Sequence, residues 1–399
     1  VRVCFVSHTA KKYGAELALL ELLQGLVAEG VDCKVLVPKK GPLLTALDQL
    51  HIEWKIIGYP FWVAGARRRW MSGRILRTVR TLLLAIPMAH IIAKWQCDLV
   101  CSNTMTIGAG ALAARLAKRP HVWHLHEFGY RDPNLLFDLG ERRTARLMDR
   151  LSAIFIANSY AVVKHYGRYI NQERIKVVYQ AVTLRDEIES SPGNHATTDK
   201  PCFTCVIVGS LHIAKGQDEA IRALAEIVRR GVDMELLFVG AGSKRYRKVL
   251  GQQVRDFGLE QRVKFIGYAE NPLPYIRMAD VVLVCSRWEA FGRATVEAML
   301  LGKPIIATAN SGGTAELIHD GETGLLYEAG NHVELADKIQ RLYQIPSEGI
   351  RLGTAARMWA AGRFTQQRYA REVLSLLSEA LTKEQHAAPA VNQFEQSDD

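Results

Sequence analysis

From its first residues the chain alternates short β-branched apolar runs with longer stretches of helical period. Runs at 2–7, 33–37, 54–57, 98–102, 121–125, 153–157 and 175–178 read as strands. Stretches at 15–29, 74–95, 106–117, 135–150 and 160–169 read as helices. Several strand runs are apolar at every position, as a strand covered on both faces must be. Residues 183–200 break the rhythm with a polar run around Ser190-Ser-Pro-Gly-Asn and read as a linker. Alternation then restarts, with strands at 202–208, 234–239, 263–266, 281–285 and 304–308 and a last helix at 366–381. The predicted fold class is α/β, with two Rossmann-like doubly wound domains at 1–182 and 201–362. A C-terminal helix within 363–382 is expected to pack back towards the first domain, ahead of a disordered polar tail at 383–399. Ligands of such sheets bind at the carboxyl ends of the strands, so facing domains are expected to form a cleft.

Composition narrows the classes without choosing among them. With 399 residues and 48% apolar content, the chain can bury two cores of ordinary size. Seven scattered cysteines give no disulfide framework and read as reduced core thiols. Cys202 and Cys205 form a CxxC pair, but the second pair that a zinc site needs is missing. The first residues run directly into a strand, with no signal-peptide pattern. No unbroken apolar run reaches the roughly 18 residues that span a bilayer, so no transmembrane helix is expected.

Charge changes the picture through its placement. The net charge is +10, yet residues 1–189 hold 27 Lys and Arg against 16 Asp and Glu, and the remainder 24 against 25. Within 61–95 lie Arg67, Arg68, Arg69, Arg74, Arg77, Arg80 and Lys94, interspersed with Trp62, Trp70 and Trp95 and without one acid. Such a stretch suits an anionic membrane surface, and equally a solvated helix face. No nucleic-acid recognition motif accompanies it, so nucleic acid is not an expected partner.

Candidate chemistry concentrates in the second half. In Ser286-Arg-Trp-Glu-Ala-Phe-Gly-Arg, Glu289 falls on the loop after a strand, and Glu297 falls about one turn into the next helix. Amides of that first turn attract anionic or hydroxyl-rich ligands, and carboxylates accept from adjacent sugar hydroxyls. The other reading makes Glu289 a helix cap and pairs Glu297 with a surface base. Four more strand ends carry turn or polar residues: Gly209 with Lys215, Gly240 with Gly242, Gly267, and Gly312-Gly313 with Glu316. A lysine in that position can reach a phosphate.

In this order and at these spacings, residues 203–345 resemble the donor half of retaining glycosyltransferases of the GT-B fold. That large, family 4-like group includes bacterial mannosyl-, glucosyl- and N-acetylhexosaminyl-transferases. The resemblance implies that Lys215 binds the donor diphosphate, Glu289 the sugar hydroxyls and Glu297 the ribose. Amides near Phe291, Gly292 and Arg293 would hold sugar or phosphate, beside the strand-end residues Gly209, Ser210, Gly240 and Gly267. One position departs from the pattern: Ser210 stands where the family usually has arginine, and serine cannot supply a bidentate phosphate contact. In the first half, Tyr13-Gly-Ala-Glu resembles the family's Gly-Gly-Ala-Glu, placing Gly14 at a helix N-terminus suited to the leaving diphosphate. His126 matches a cleft histidine near the transferred sugar, and Asn158-Ser159 a cleft-facing strand end or an ordinary helix cap.

The implied activity is retaining transfer from a nucleotide-diphosphate sugar to a glycan or lipid-linked acceptor, in surface polysaccharide or glycolipid assembly. Glu289, Lys215 and His126 are the expected catalytic groups. No Asp-x-Asp element occurs, so no metal and no cofactor are expected. Arg67, Arg68, Arg69, Trp70 and Arg74 are the expected membrane or acceptor surface, on a cytoplasmic protein peripheral to the inner membrane. Two rival readings share the architecture: a nucleotide-sugar epimerase, and a catalytically silent nucleotide-sugar-binding subunit.

Overall fold

The computed structural model describes residues 1–64, 71–128, 135–184 and 202–387. Arg67, Arg68, Arg69 and Trp70, most of the expected linker and the tail from 388 lie outside them. The chain divides into two compact units: residues 1–158, 162–180 and 369–399, and residues 159–161 with 181–368.

The first unit is built on β1 (Arg2–Ser7), α1 (Gly14–Ala28), β2 (Asp32–Val37), α2 (Leu43–Gln49), β3 (Glu53–Ile56), β4 (Val63–Ala64), α3 (Met71–Lys94) and β5 (Leu99–Asn103). It continues through α4 (Ala109–Leu116), β6 (His121–Leu125), β7 (Leu136–Phe137), α5 (Glu141–Leu151), β8 (Ile154–Ala157), α6 (Tyr160–Tyr166) and β9 (Ile175–Val177). Seven strands form a parallel sheet in the order β3-β2-β1-β5-β6-β8-β9. β5, β6 and β8 are buried at every residue, which is why apolar residues fall on both alternating faces and the polar Ser102, Asn103, His121 and His124 are buried with them. Strand order reverses between β1 and β5, so the loops after these two strands diverge and leave room for a ligand.

The second unit repeats the plan with β10 (Phe203–Val208), α7 (Gln217–Arg229), β11 (Met234–Val239), α8 (Lys244–Asp256), β12 (Val263–Gly267), α9 (Leu273–Met278) and β13 (Val281–Val284). Next come α10 (Arg293–Leu300), β14 (Ile305–Thr308), α11 (Gly313–Leu317), β15 (Leu325–Tyr327), α12 (His332–Gln344) and α13 (Pro346–Ala360). Its six-stranded sheet runs β12-β11-β10-β13-β14-β15, all parallel, over a core that includes Ile207, Phe238 and Leu283. The last helix, α14 (Gln366–Ala387), belongs to the first unit from Tyr369 onward. Tyr369 is fully buried there, its hydroxyl 3.3 Å from His124 Nε2, and Arg371 pairs with Glu29 at 2.8 Å.

One expectation fails. The helix expected over 135–150 starts only at Glu141, because Leu136–Phe137 pairs antiparallel with Val63–Ala64 instead. Asp138 N–H then donates to Trp62 O at 2.9 Å, and Phe137 meets the Trp62 ring edge-on at 6.4 Å, while that ring stacks on Trp123. Beside the expected lack of an unbroken apolar run stands one helix, residues 72–94, that is long and apolar enough to cross a membrane by length and composition alone. Arg74, Arg77 and Arg80 interrupt the apolar run in sequence, but they do not interrupt the helix. None of the seven cysteines is bonded to another, and all but Cys202 are buried.

Candidate functional site

In the second unit the candidate residues gather at the carboxyl ends of the parallel strands. After β10, a 3₁₀ turn at Ile213–Lys215 is capped by His212, whose Nδ1 accepts the Ala214 N–H at 3.2 Å. Gln217 Nε2 donates to Ser210 O at 2.9 Å, tying this loop to the first turn of α7. Arg287 fixes it from the far side. Its guanidinium spans Asp218 with bonds of 3.0 and 2.7 Å, and its backbone N–H donates to Ala214 O at 2.7 Å. A bidentate guanidinium–carboxylate pair is the most directional ion pair available to a side chain, so Lys215 stands on a stiff turn.

Lys215 is thereby brought to Glu289, 74 residues away, and the two form an ion pair. Ser286 Oγ donates to the same carboxylate oxygen at 3.2 Å. The main chain of Glu289 is stitched to the loop after β14: its N–H donates to Ser311 O at 2.6 Å, and its carbonyl accepts the Gly313 N–H at 2.8 Å. Phe291 is buried and meets Phe364 edge-on at 6.0 Å, anchoring the loop just before α10.

Two glycines are required by geometry here. Gly292 begins α10 at φ +92°, and a Cβ on it would lie 2.3 Å from Thr314 Oγ1 and 3.0 Å from Thr295 Oγ1. Both hydroxyls are buried with no protein hydrogen-bond partner, so two unsatisfied polar groups converge on the turn that opens α10. Gly240, at φ +149°, would drive a Cβ to within 2.0 Å of Gly209 O. The Gly209 N–H donates to Val239 O at 2.9 Å and the Gly240 N–H to Gly267 O at 2.7 Å, so three expected donor-binding glycines link adjacent strand ends.

The remaining expected residues are placed differently from one another. Ser210 is exposed. Glu297 is buried one turn into α10 and pairs with Arg293 at 3.0 Å, so these two expected donor ligands engage each other. The carboxylate of Glu316 accepts the N–H groups of Tyr160 and Ala161 at 2.9 and 2.6 Å, which makes it a helix cap.

In the first unit, Gly14 is the first residue of α1, and a Cβ there would meet nothing within 4 Å. Beside it, His8, Lys11, Tyr13, Lys39, Tyr59 and Phe61 line a cavity of about 410 Å³. Burial opposes protonation of His8, but the Glu16 carboxylate 2.8 Å away and the charge of Glu127 together outweigh it and raise the pKa. His126 Nε2 lies 2.9 Å from Asn103 Oδ1, and Asn103 Nδ2 donates to Ala15 O at 3.1 Å. That amide orientation makes His126 Nε2 the donor. Burial holds His126 neutral, its pKa well below the usual value, and brings His124 down to about 3. Next to His126, burial pushes the Glu127 carboxyl up to about 7, against the opposing charge of His8. His8, Asn103 and Glu127 were not among the expected site residues. Each lies at or just after the end of a parallel strand, the position that could have marked them. Asn158 and Ser159 are buried after β8. Arg74 donates to Asp138 O at 2.7 Å, and Arg77 Nε to Asp138 Oδ2 at 2.8 Å.

Two family models match the chain in succession. "Glycosyltransferase Family 4" matches residues 13–186, and "Glycosyl transferases group 1" matches residues 186–359. The chain is similar to the N-acetyl-alpha-D-glucosaminyl L-malate synthase of Bacillus anthracis, 34% identical over 38% of each chain. It is also similar to the D-inositol 3-phosphate glycosyltransferase of Arthrobacter sp. (strain FB24), 29% identical over 74% of this chain and 72% of that one. Several other curated relatives are matched over only 45% to 55% of their own length. Among solved structures, Anabaena Alr3699/HepE in complex with UDP superposes with a TM-score of 0.76 at 26% identity, covering 95% of this chain and 100% of that one. The same Anabaena protein has also been solved with UDP-glucose.

Proposed function

Because the chain belongs to the glycosyltransferases of the GT-B fold, its halves matching the family 4 and group 1 models, we propose that it moves a hexose from a nucleotide-diphosphate sugar to an acceptor hydroxyl with retention of configuration and without a metal. The observation that carries this reading is the Lys215–Glu289 pair at the strand ends of the second unit, beside the open first turn of α10. The pair holds one cation suited to a diphosphate and one anion suited to sugar hydroxyls. As the glycosidic bond breaks, negative charge grows on the departing diphosphate. Lys215 and the α10 amides stabilise that charge more in the transition state than in the bound donor. His126, kept neutral with its Nε2–H given to Asn103, would leave its other ring nitrogen to accept from a hydroxyl of the transferred sugar or the acceptor. The cavity lined by His8, Lys11 and Tyr13 would take the acceptor, which we read as a glycan or lipid-linked sugar of surface polysaccharide or glycolipid assembly.

A uridine donor is the first candidate, since the Anabaena relative has been solved with UDP and UDP-glucose. A thermal-shift panel of uridine, guanosine and adenosine diphosphate sugars, with and without chelator, tests the proposal. A donor that binds only the folded state raises the midpoint in proportion to its affinity. One donor class should stand out, and chelator should leave its shift intact. A flat panel overturns the reading. Conversion of the donor to an epimer in the absence of any acceptor would assign an epimerase instead.

A further inference from the structure

One helix of the first unit keeps a large apolar face uncovered. On α3, the side chains of Ala85, Met88, Ala89 and Ile92 are buried in the unit's core with residues of β5 and α4. The opposite face presents Ile75, Leu76, Val79, Leu82, Leu83 and Ile86, all between 44% and 60% exposed. Offsets of 1, 4, 7, 8 and 11 from Ile75 put all six on one side of a helix. The stripe runs about 16 Å along the axis at about 1.5 Å per residue. Scattered exposed apolar residues are ordinary, but six aligned ones on a single helix are not.

The charges on the helix itself have one sign. The whole of α3 contains no Asp or Glu, and Arg80 is exposed at the edge of the stripe. Arg74 and Arg77 turn inward to Asp138 and fix the first turns of the helix. An apolar helix face edged by Arg80 and free of acids complements a surface that is oily beneath and anionic on top.

We propose that this face of α3 docks on an anionic lipid bilayer, with the helix lying in the plane of the headgroups. The fold excludes a crossing orientation. One face of α3 is part of the core, and β5, in the middle of the sheet, starts at Leu99, shortly after the helix ends. A second copy of the chain fits less well, because symmetric pairing would bring Arg80 towards its own like with no acid opposite. Docking therefore depends on the apolar stripe and on Arg80, while Arg74 and Arg77 hold the helix in place. The inference deepens the reading of a lipid-linked acceptor, but its test measures binding alone and succeeds or fails without any donor or transfer.

The full chain is floated with vesicles containing phosphatidylglycerol and with vesicles of phosphatidylcholine alone. The expected result is binding to the first, weakened by raised salt, and little binding to the second. L82E/L83E should lower the bound fraction about tenfold or more, since apolar burial drives interfacial binding. I75S/I86S, which adds no charge, should lower it in the same direction, and M358E on the exposed surface of the second unit should leave it unchanged. Circular dichroism and the melting midpoint should match wild type in all three variants. The proposal is overturned if wild type ignores phosphatidylglycerol vesicles or if the folded stripe variants float as wild type does. It is also overturned if sedimentation shows a dimer that L82E/L83E dissolves while no form binds vesicles.

Discussion

Replacing Glu289 by glutamine should move the affinities for nucleotide and for nucleotide sugar in opposite directions. The substitution keeps the shape of the side chain and removes its charge. The loop should hold, because its place is set by main-chain bonds to Ser311 and Gly313 and by the buried Phe291 ring. The Lys215 and Glu289 side chains are 25% and 18% exposed, so their pair is partly screened. Its net worth is about 1 kcal/mol, at the upper end for exposed pairs. A diphosphate that recruits Lys215 must first draw it away from Glu289, and the glutamine variant removes that competition. UDP should therefore bind up to about fivefold more tightly to the variant, about 1 kcal/mol converted to affinity. The sugar loses a charged acceptor and gains a neutral one, a difference of about 1–2 kcal/mol per hydroxyl contact. The ratio of UDP to UDP-glucose dissociation constants should fall by about five- to thirtyfold. Isothermal titration calorimetry of both ligands on both proteins measures this directly. If UDP and UDP-glucose weaken by one common factor, Glu289 does not hold Lys215 in reserve and the reasoning fails.

Three further outcomes follow from other contacts. Ser210→Arg places a guanidinium on an exposed strand-end position and should tighten UDP by about 1–2 kcal/mol; unchanged affinity would mean that the diphosphate lies elsewhere. Arg287→Ala breaks the pair with Asp218 and should lower unfolding free energy in urea by about 1–2 kcal/mol, with donor affinity falling because the Lys215 turn loosens; an unmoved urea midpoint refutes this. Glu127 has a folded pKa of about 7 against an ordinary 4.5, so its contribution is complete below pH 4.5 and is lost as pH rises through 7. Glu127→Gln escapes that loss, so its stability relative to wild type should grow by about 3 kcal/mol between pH 4.5 and 8; a difference that stays constant with pH rules the assignment out.

Much of the architecture was readable from local pattern. Strands such as Phe203–Val208 and Val281–Val284 are runs of β-branched and other apolar residues bounded by turn residues, and burial on both faces demands that composition. Leu325–Tyr327 was missed because three residues carry no period, and Leu136–Phe137 because it takes its partner from Val63–Ala64. Lys215 and Glu289 were each visible at strand ends, but their meeting was not. It depends on Arg287 reaching Asp218 across 69 residues, and spacing does not record such closures. The same holds for α3, where the sequence showed arginines and apolar residues together. Only packing assigns Arg77 to Asp138 and leaves Leu82 and Leu83 facing outward.

The division of the chain into units also constrains its biosynthesis. Residues 181–368 are nearly continuous in sequence, whereas the first unit is finished by α14 from Tyr369 onward. Tyr369 reaches His124 across 245 positions, so that part of the amino-terminal sheet's core can close only after α14 has been synthesised. The second unit can complete first, reversing the usual order of synthesis. A chimera that exchanges the second unit should therefore transplant 181–368 as an insert and leave 369–387 with the amino-terminal half. A single cut near residue 180 would separate the first unit from its own closing helix.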